Sequence, residues 1–506
     1  MNNRRFAIVS SLCTIFVLAG CAACRAEPLP ESQCVLLPVT QDPTISLRIW
    51  FKVGSQDDPA GKEGLATLTA EMLAQGSTQQ HRYEEILDRL FPLAANYSAL
   101  VSTEMTVIHG RVHKDNRTEF YPLFIQSMLA PAFHQEDLDR LKSNALSFLE
   151  NTLRYASDED LAKALLYDTL FAGTPYGHPT LGLIQSMRSI TLDDIRNSYR
   201  RHYTRDNVVL GVGGGFDKQL LLRLRTDLAA LPSGCPAIVP PSRPKPLKGI
   251  HVTIVEKVAA ATAISLGFPI AVHRGSKDWY ALAVANSWLG EHRNAQSHLY
   301  QVIREQRGLN YGDYTYIERF PNGGQLTVPP QNVARRQQIF EMWLRPVPHE
   351  TRHFVLRAAL RELKQLVDHG MDEKEFLRAR TFLKKFVPQY ATTTMERLGY
   401  ALDDRFYGIE GSHLDRFRRM MDEVTLADVN AAIRKYWQCD AMQIVIVTRD
   451  AQSLKEALVS NRPSPIKYRM AKPESVLQED RLISTFPLAI PPQNVHIVPV
   501  AGLFEK

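Results

Sequence analysis

The sequence predicts an α+β fold of two duplicated halves, each a mostly antiparallel sheet with helices packed on one face, joined by a proline-rich linker. Two observations lead to this prediction. A helix start, a basic and aromatic helix end and a strand recur 234 residues apart in ungapped register. Strand-like runs and long amphipathic helices are also mixed without strict β-α-β alternation, which is typical of α+β layers.

The repeat is clearest at residues 190–195 (ITLDDI) and 424–429 (VTLADV). Each copy places a threonine at the predicted N-cap and an aspartate three residues later, the signature of a helix start. Each helix is followed by a predicted strand, at 208–212 and at 442–447. The chain is therefore predicted to contain a duplicated domain.

Boundaries follow from composition. The first domain is predicted at 40–231 and the second at 251–450, because residues 232–250 are rich in proline and lack apolar periodicity, as in a stiff exposed linker. After Asp450 the pattern thins into proline-containing irregular sequence, so residues 451–506 are predicted to form an extended tail.

Long amphipathic helices are predicted within both halves, at 136–153 and at 353–368. Gly370 is placed to end the second of these helices, since glycine adopts the left-handed conformation of a helix end at little cost. Asp372 and Glu375 then have the spacing of a capping pair for the next helix.

The first residues predict that the protein is located in the cell envelope. Arg4 and Arg5 precede an apolar run at 6–20 that is too short to span a bilayer comfortably, and residues 18–21 read LAGC. This arrangement resembles a bacterial lipobox, which implies that Cys21 becomes the lipidated N-terminus. The predicted product is a periplasmic domain tethered to a membrane, with the leaflet left open.

On this reading residues 1–20 form a lipoprotein signal peptide and residues 21–39 an N-terminal tether. Plain secretion with cleavage after Ala26 is the alternative, although Cys24 gives a poor small-x-small site. An uncleaved membrane anchor is the weakest of the three.

Composition limits the classes of function. The chain has 506 residues, 44% of them apolar and 23% charged, so two or more ordinary globular domains are expected. The formal charge of +6 is small for this length and the basic residues are scattered, so no nucleic-acid partner is predicted. Cys24, Cys34, Cys235 and Cys439 are too irregularly spaced for a zinc knuckle; one disulfide is left open, with no pairing named.

Residues 64–77 (GLATLTAEMLAQGS) predict a buried amphipathic helix, with apolar residues at helical spacing. Together with the strand and turn at 47–55 and the segment at 173–182, this helix resembles the zinc helix of the insulinase/pitrilysin-type metallopeptidases, of the processing-peptidase-like kind. The resemblance extends over roughly residues 40–450. It implies that family's two-domain metallohydrolase fold.

In that family the helix carries His-x-x-Glu-His, whose histidines bind zinc and whose glutamate activates the bound water. The matching positions here are Thr67, Ala70 and Glu71, so the nitrogen ligands and the general base are replaced. Glu150 lies at about the separation of the family's third ligand. Without the histidines it reads more simply as a surface helix residue, and no metal is predicted for this chain.

The second half keeps a different family segment. Residues 299–311 (LYQVIREQRGLNY) resemble the segment whose arginine and tyrosine, seven residues apart, reach across to the zinc site. By residue match these are Arg304 and Tyr311, which would bind a peptide carbonyl and stabilise an oxyanion. Gly308 is predicted to end the helix that carries Arg304. Arg307 is the alternative candidate for this arginine. Without the family resemblance, Arg304 and Tyr311 would be interpreted as an ordinary surface arginine and strand tyrosine.

A further cluster, Glu291 and His292 with His298, offers no metal site, because the two histidines do not share a helix face and no third ligand is evident. The chain also lacks a phosphate-binding loop and a nucleophile elbow.

The resemblance implies a non-catalytic subunit of a heteromeric zinc endopeptidase. A His-x-x-Glu-His-bearing partner would hold the zinc, and this chain would supply Arg304 and Tyr311 and help enclose an unfolded peptide. The alternative is a catalytically inert lipoprotein that binds peptides or scaffolds an envelope complex. An active single-chain zinc enzyme would require ligands that the sequence does not reveal.

Overall fold

The structure, a computed structural model, describes residues 27–321 and 326–506. The predicted signal peptide and Cys21 lie outside the described residues. No helix within the described residues is both long and apolar enough to cross a membrane. Cys34, Cys235 and Cys439 are free thiols in these described residues.

The first half contains one five-stranded sheet with helices. Its strands are β1 (Cys34–Pro38), β2 (Thr44–Phe51), β3 (Asn96–Val101), β4 (Thr106–His113) and β5 (Val208–Gly214). Its helices are α1 (Leu65–Ala74), α2 (Tyr83–Leu90), α3 (Arg117–Leu129), α4 (Gln135–Ser147), α5 (Asp158–Leu170), α6 (Ile184–Ser189), α7 (Leu192–His202) and α8 (Lys218–Leu228), and a π-helical segment, Phe148–Ala156, continues α4. The strand order is β1-β5-β2-β4-β3, with β1 parallel to β5 and the other pairs antiparallel.

The second half contains a six-stranded sheet. Its strands are β6 (Ile250–Glu256), β7 (Thr262–Ile270), β8 (Gly312–Tyr316), β9 (Gln338–Val347), β10 (Met442–Thr448) and β11 (Val495–Pro499). Its helices are α9 (Lys277–Gly290), α10 (Arg352–His369), α11 (Glu373–Phe386), α12 (Thr394–Tyr407), α13 (His413–Glu423), α14 (Leu426–Tyr436), α15 (Ala451–Val459) and α16 (Glu474–Ser484), with a π-helical segment at Tyr300–Glu305. The strand order is β11-β6-β10-β7-β9-β8.

The duplication extends to hydrogen bonds. The pair α7 and β5 recurs as α14 and β10 with identical lengths. Both helix starts form a reciprocal capping box, and in both the capping aspartate also binds a lysine, Lys62 with Asp194 at 2.8 Å and Lys277 with Asp428 at 2.7 Å. The predicted α+β fold of two related halves is therefore confirmed.

Each half also contributes one helix that packs on the sheet of the other half. α5 of the first half packs on β7 and β10, and α12 of the second half packs on β5, β1 and β2. The apolar side chains of α5 form one buried cluster with Val445 and Val447 of β10. Each sheet is thus covered on its second face by a helix of the other half, an arrangement that the one-faced prediction did not contain.

Two predicted boundaries are corrected by the structure. Part of the predicted tether is β1, which pairs with β5 along its whole length. The predicted extended tail, 451–506, instead forms α15, α16 and β11, and β11 pairs with β6. Proline-containing irregular sequence flanks these elements and α16 has no side-chain cap at Pro473, so the sequence carries no start signal for it. Burial of Ile483 and Val495 in the core orders the segment.

The predicted linker lacks helix and strand from residue 232 to residue 249 and is mostly exposed, with β6 beginning at Ile250. Gly370 has φ of 74° and follows α10, and the Asp372 carboxylate accepts from the Glu375 amide at 2.8 Å. The predicted helix end at Gly370 and the predicted cap at Asp372 are therefore both present.

Candidate functional site

The degenerate zinc helix α1 is well formed. The half-buried Asp58 carboxylate accepts from the backbone amides of Gly64 and Ala66, both at 2.7 Å, and so satisfies amides that a helix start leaves unpaired. Gly64 has φ of 103°, and a Cβ there would lie 2.6 Å from the Leu181 carbonyl oxygen, so this turn requires glycine. The helix retains its position although its ligands are replaced.

The side chains at the former ligand positions do not suit zinc. The Thr67 hydroxyl donates to the Thr180 carbonyl, and Ala70 is fully buried. Burial raises the pKa of Glu71 to about 7, with Arg140 acting in the opposite sense, and no hydrogen bond reaches its carboxylate from the described residues. Glu150 is half-buried in the π-helical segment, where it forms an ion pair with Arg188.

Zinc requires three or four nitrogen, sulfur or carboxylate ligands converging on one point. Within residues 27–321 and 326–506, no group of three or more His, Cys, Asp or Glu side chains could hold a metal ion. One hydroxyl engaged with a carbonyl, the single carboxyl group of Glu71 and a Glu150 carboxylate already paired with Arg188 do not replace such a set. The residues present at this position therefore do not fit zinc.

The helix lies beside an open sheet edge and a cavity between the halves. α1 packs against β3, which ends the strand order of the first sheet and pairs there only with β4 among the described strands. The cavity contains about 950 Å³ of empty space, part of it open to solvent. Its wall includes Thr180, the partner of Thr67, together with side chains of the π-helical segment and α5. Arg319, Pro321 and Arg335 of the second half complete it.

The wall between the halves is built from buried charges and aromatic rings. The Lys163 ammonium of α5 lies 3.4 Å from the Glu341 carboxylate and 3.3 Å from the centre of the Trp343 ring. Tyr167 donates to Glu341 at 2.9 Å, and Arg319 donates to Thr103 at 2.7 Å. Burial lowers the pKa of Lys163 to about 7, with Glu341 opposing it.

Sequence reasoning did not find this wall. Its members come from α5, from the loop after β8 and from β9, and the chain between them carries no motif that links them. The cavity forms where α5 and α12 each pack on the sheet of the other half. A single sequence carries no signal of such an exchange.

Arg304 and Tyr311 form a stacked pair on the second half. The Arg304 guanidinium lies between the rings of Tyr300 and Tyr311, 4.6 Å from each centre, and donates to the Tyr311 carbonyl at 2.8 Å. Tyr311 is 62% exposed, and no described residue bonds its hydroxyl. Gly308, with φ of 69°, makes the turn between them, so the pair holds a fixed geometry with free donors.

Arg307 has a different environment. It is buried, donates to Asp480 at 2.8 Å and to Glu479 at 2.6 Å, and thereby attaches α16 to the second half. Of the two arginines weighed from the sequence, Arg304 is the one whose guanidinium remains available to a ligand.

Comparison with known proteins identifies the class. Residues 34–183 match the family model of insulinase (peptidase family M16), and residues 189–383 match that of the peptidase M16 inactive domain. The two adjoining matches span more than half of the chain. The chain therefore belongs to the insulinase family of peptidases.

Its relatives include proteins described as proteases and as non-peptidases. An uncharacterized zinc protease of Streptomyces coelicolor is 24% identical over 369 residues, 71% of this chain and 75% of the relative. The non-peptidase homolog YmxG of Helicobacter pylori is 23% identical over 414 residues, 79% of this chain and 88% of the relative. The substitutions at positions 67, 70 and 71 make this chain an inactive-type member of the family.

Solved structures share the fold. A peptidase M16 inactive domain from Pseudomonas fluorescens superposes with a TM-score of 0.72 at 24% identity, covering 82% of this chain and 95% of that one. A protease from Helicobacter pylori superposes with a TM-score of 0.70 at 15% identity, covering 82% and 96%. At these identities the likeness concerns the fold alone.

Proposed function

We propose that this chain is the non-catalytic subunit of a heteromeric insulinase-type zinc endopeptidase. The observation that carries the proposal is the asymmetry between the halves. In the first half Thr67 and Glu71 stand at the positions of the zinc ligands and Ala70 at that of the general base. The second half keeps Arg304 and Tyr311 stacked and accessible, with no acidic partner among the described residues. A partner that bears His-x-x-Glu-His would hold the zinc.

The two side chains have complementary tasks in such an enzyme. The Arg304 guanidinium has donors left over after its bond to the Tyr311 carbonyl, and its planar fork suits a peptide carbonyl of the substrate. The Tyr311 hydroxyl can donate to the carbonyl oxygen that becomes negatively charged as the peptide bond is attacked. Stacking on Tyr300 and Tyr311 fixes the guanidinium before substrate arrives, which lowers the entropy lost on binding.

An extended, unfolded peptide suits the remaining surfaces. The open edge of β3 offers backbone donors and acceptors for one added strand, the mode by which many sheets bind peptides. The cavity beside it, with Lys163, Tyr167 and Arg319 in its wall, can take side chains of that peptide. Lipidation of Cys21 would hold the complex at the periplasmic side of a bacterial membrane.

The test begins with tagged protein isolated from its native membranes together with whatever accompanies it. We expect peptide cleavage that a chelator abolishes and a copurifying chain with His-x-x-Glu-His. Arg304→Ala and Tyr311→Phe should each lower kcat/KM of the complex, by about 10²-fold for loss of one oxyanion donor, without dissociating it. Tyr311→Phe keeps the ring on Arg304 and removes only the hydroxyl.

Arg419→Ala, which truncates an exposed arginine on α13, is the matched control and should leave turnover unchanged. Unchanged turnover in both Arg304→Ala and Tyr311→Phe would refute the role of the pair. Stoichiometric zinc in the purified chain alone would instead support a single-chain enzyme.

A second candidate is a catalytically inert lipoprotein that binds peptides or scaffolds an envelope complex. It is favoured by the fact that the open edge of β3 and the cavity both belong to this one chain. An eluate without cleavage and without a peptidase-like partner would decide for it, and both substitutions would then leave peptide affinity intact.

A further inference from the structure

A second cavity is lined entirely by residues of the second half. It contains about 630 Å³ of empty space, part of it open to solvent. Side chains of α9, α11 and α13, of β8 and of the residues after β8 surround it. Aromatic rings dominate the wall, among them Trp279, Tyr316, Tyr390 and Phe417.

One carboxylate in this wall has no cation beside it. Glu291, which directly follows α9, is 9% exposed and lines the cavity, yet no cation of the described residues lies within ion-pair distance. Among these residues the Ser287 hydroxyl is its one hydrogen-bonding neighbour, and it lowers the pKa of Glu291 against the larger effect of burial. On the same helix, Asn286 Oδ1 is buried without a hydrogen-bond partner among the described residues. Buried polar groups are normally paired, so this corner of the cavity is incomplete.

Glu318, Arg274 and His292, which also line the cavity, have partners. Glu318 accepts from Arg274 at 2.7 Å, and Arg274 also donates to Asp403 at 3.2 Å. His292 donates from Nε2 to the Leu326 carbonyl at 2.9 Å and accepts at Nδ1 from the Tyr316 hydroxyl, at 2.6 Å, which leaves the imidazole neutral. The unbalanced charge in the wall is therefore the negative charge of Glu291.

We propose that this cavity binds a small organic cation, an ammonium group carried on a flat apolar body. The ammonium would form a charge-assisted hydrogen bond with Glu291, and the aromatic rings would enclose the body and attract the cation through their faces. Burial raises the pKa of Glu291 to about 7. A bound cation would lower this pKa, so the carboxylate would be ionised near neutral pH in the complex. The site does not depend on Arg304, Tyr311 or a peptidase partner.

Calorimetric titration of the full mature chain with benzylammonium, and with benzyl alcohol as its neutral analogue, tests the proposal. At pH 8 we expect benzylammonium to bind at least about tenfold more tightly than benzyl alcohol. Glu291→Gln, which keeps the shape and removes the charge, should abolish that preference. Glu71→Gln is the matched control, because Glu71 is also an unpaired carboxylate with a pKa near 7 but belongs to the other half.

Equal affinity for the two probes, or an unchanged preference in Glu291→Gln, would overturn the proposal. Ala283→Leu provides a second variant, since Ala283 lines the cavity and a larger side chain there should weaken both probes together. If Glu291→Gln does not fold, the wild-type preference and the weaker binding of both probes to Ala283→Leu still decide the question. Peptide cleavage by the complex is measured separately, so failure here leaves the proposed function unaffected.

Discussion

Glu71 makes the stability of the first half depend on pH. Its carboxyl has a pKa of about 7 in the folded chain against an ordinary value of 4.5, and burial is the main cause. The folded state therefore holds this proton more tightly than the unfolded state, so stability is full below about pH 4.5 and is lost as pH rises toward 7. At pH 8 the raised pKa of Glu71 lowers the free energy of unfolding by about 3 kcal/mol.

Glu71→Gln should remove that loss. We expect the gain in unfolding free energy over wild type to be about 2 kcal/mol larger at pH 8 than at pH 5, measured by urea denaturation at both values. Glu150→Gln is the control, because its carboxylate forms an ion pair with Arg188 near the surface and should give a much smaller difference between the two values. An equal effect of Glu71→Gln at both pH values would contradict the burial argument.

The identity of the former ligand positions could be read from the sequence, because spacing along one helix places Thr67 and Glu71 on the same face. Their present contacts could not. That Thr67 bonds the Thr180 carbonyl, and that Glu150 turns to Arg188, depends on which distant loops reach α1 and the π-helical segment. Sequence spacing carries no information on such contacts.

Among the helices, α5 is attached to the other half by a buried charge. Lys163 is 4% exposed and Glu341 fully buried, with Tyr167 and the Trp343 indole also bonding the carboxylate. Lys163→Met should cost about 3–5 kcal/mol, because it leaves a buried carboxylate without its cation. Guanidinium denaturation followed by tryptophan fluorescence measures this.

A double substitution separates charge from packing. Lys163→Met with Glu341→Gln should be less destabilised than Lys163→Met alone, since no lone charge remains while the tyrosine and tryptophan donors keep an acceptor. Lys364→Met, at an exposed pair with Asp368, is the control and should change stability by no more than about 0.5 kcal/mol. A double variant as unstable as the sum of the singles would assign the effect to packing.

The C-terminal segment shows where sequence reading of elements succeeded and where it failed. Helices α7 and α14 were predictable because their capping residues and their periodicity lie within one window. Helix α16 was not, because it starts after Pro473 without a side-chain cap, although it is as long as α7 and α14. Strand β11 has only five residues, and both elements are ordered by contacts, with Arg307 and β6, that lie far away in the chain.

Arg307 should therefore be a stability residue of the second half. Arg307→Met leaves Asp480 buried without its cation and should destabilise the protein by about 3–5 kcal/mol. Arg304→Met, three residues earlier and without an acidic partner among the described residues, should cost less than about 1 kcal/mol. Thermal unfolding monitored by circular dichroism compares the two, and equal losses would show that α16 is not held by this ion pair.

The two halves form one folding unit as well as one duplicated architecture. A sheet with both faces apolar needs a cover on each, and here the second cover of each sheet comes from the other half. One buried cluster joins α5 to the second sheet and contains Leu161, Leu165, Leu166, Val445 and Val447. Another joins α12 to the first sheet and contains Leu402, Trp50 and Val209. Neither half can therefore bury its own apolar surface alone.

Cutting the chain in the linker tests this exchange. Residues 27–240 and 241–506, produced separately, should each be insoluble or bind a dye for exposed apolar surface, because each then exposes a helix face and a sheet face. Produced together, they should copurify one to one with native circular dichroism, since the linker between them carries no helix or strand.

The same pair of fragments distinguishes exchange from simple adjacency. Lys163→Met in the first fragment should lower the yield of the copurified pair, because α5 inserts its ammonium into the second half beside Glu341 and Trp343. Lys364→Met in the second fragment should leave the yield unchanged. If instead each fragment alone is monomeric and unfolds cooperatively, the halves are independent domains that merely touch. The cavity between them would then open and close with their motion instead of being fixed by α5 and α12.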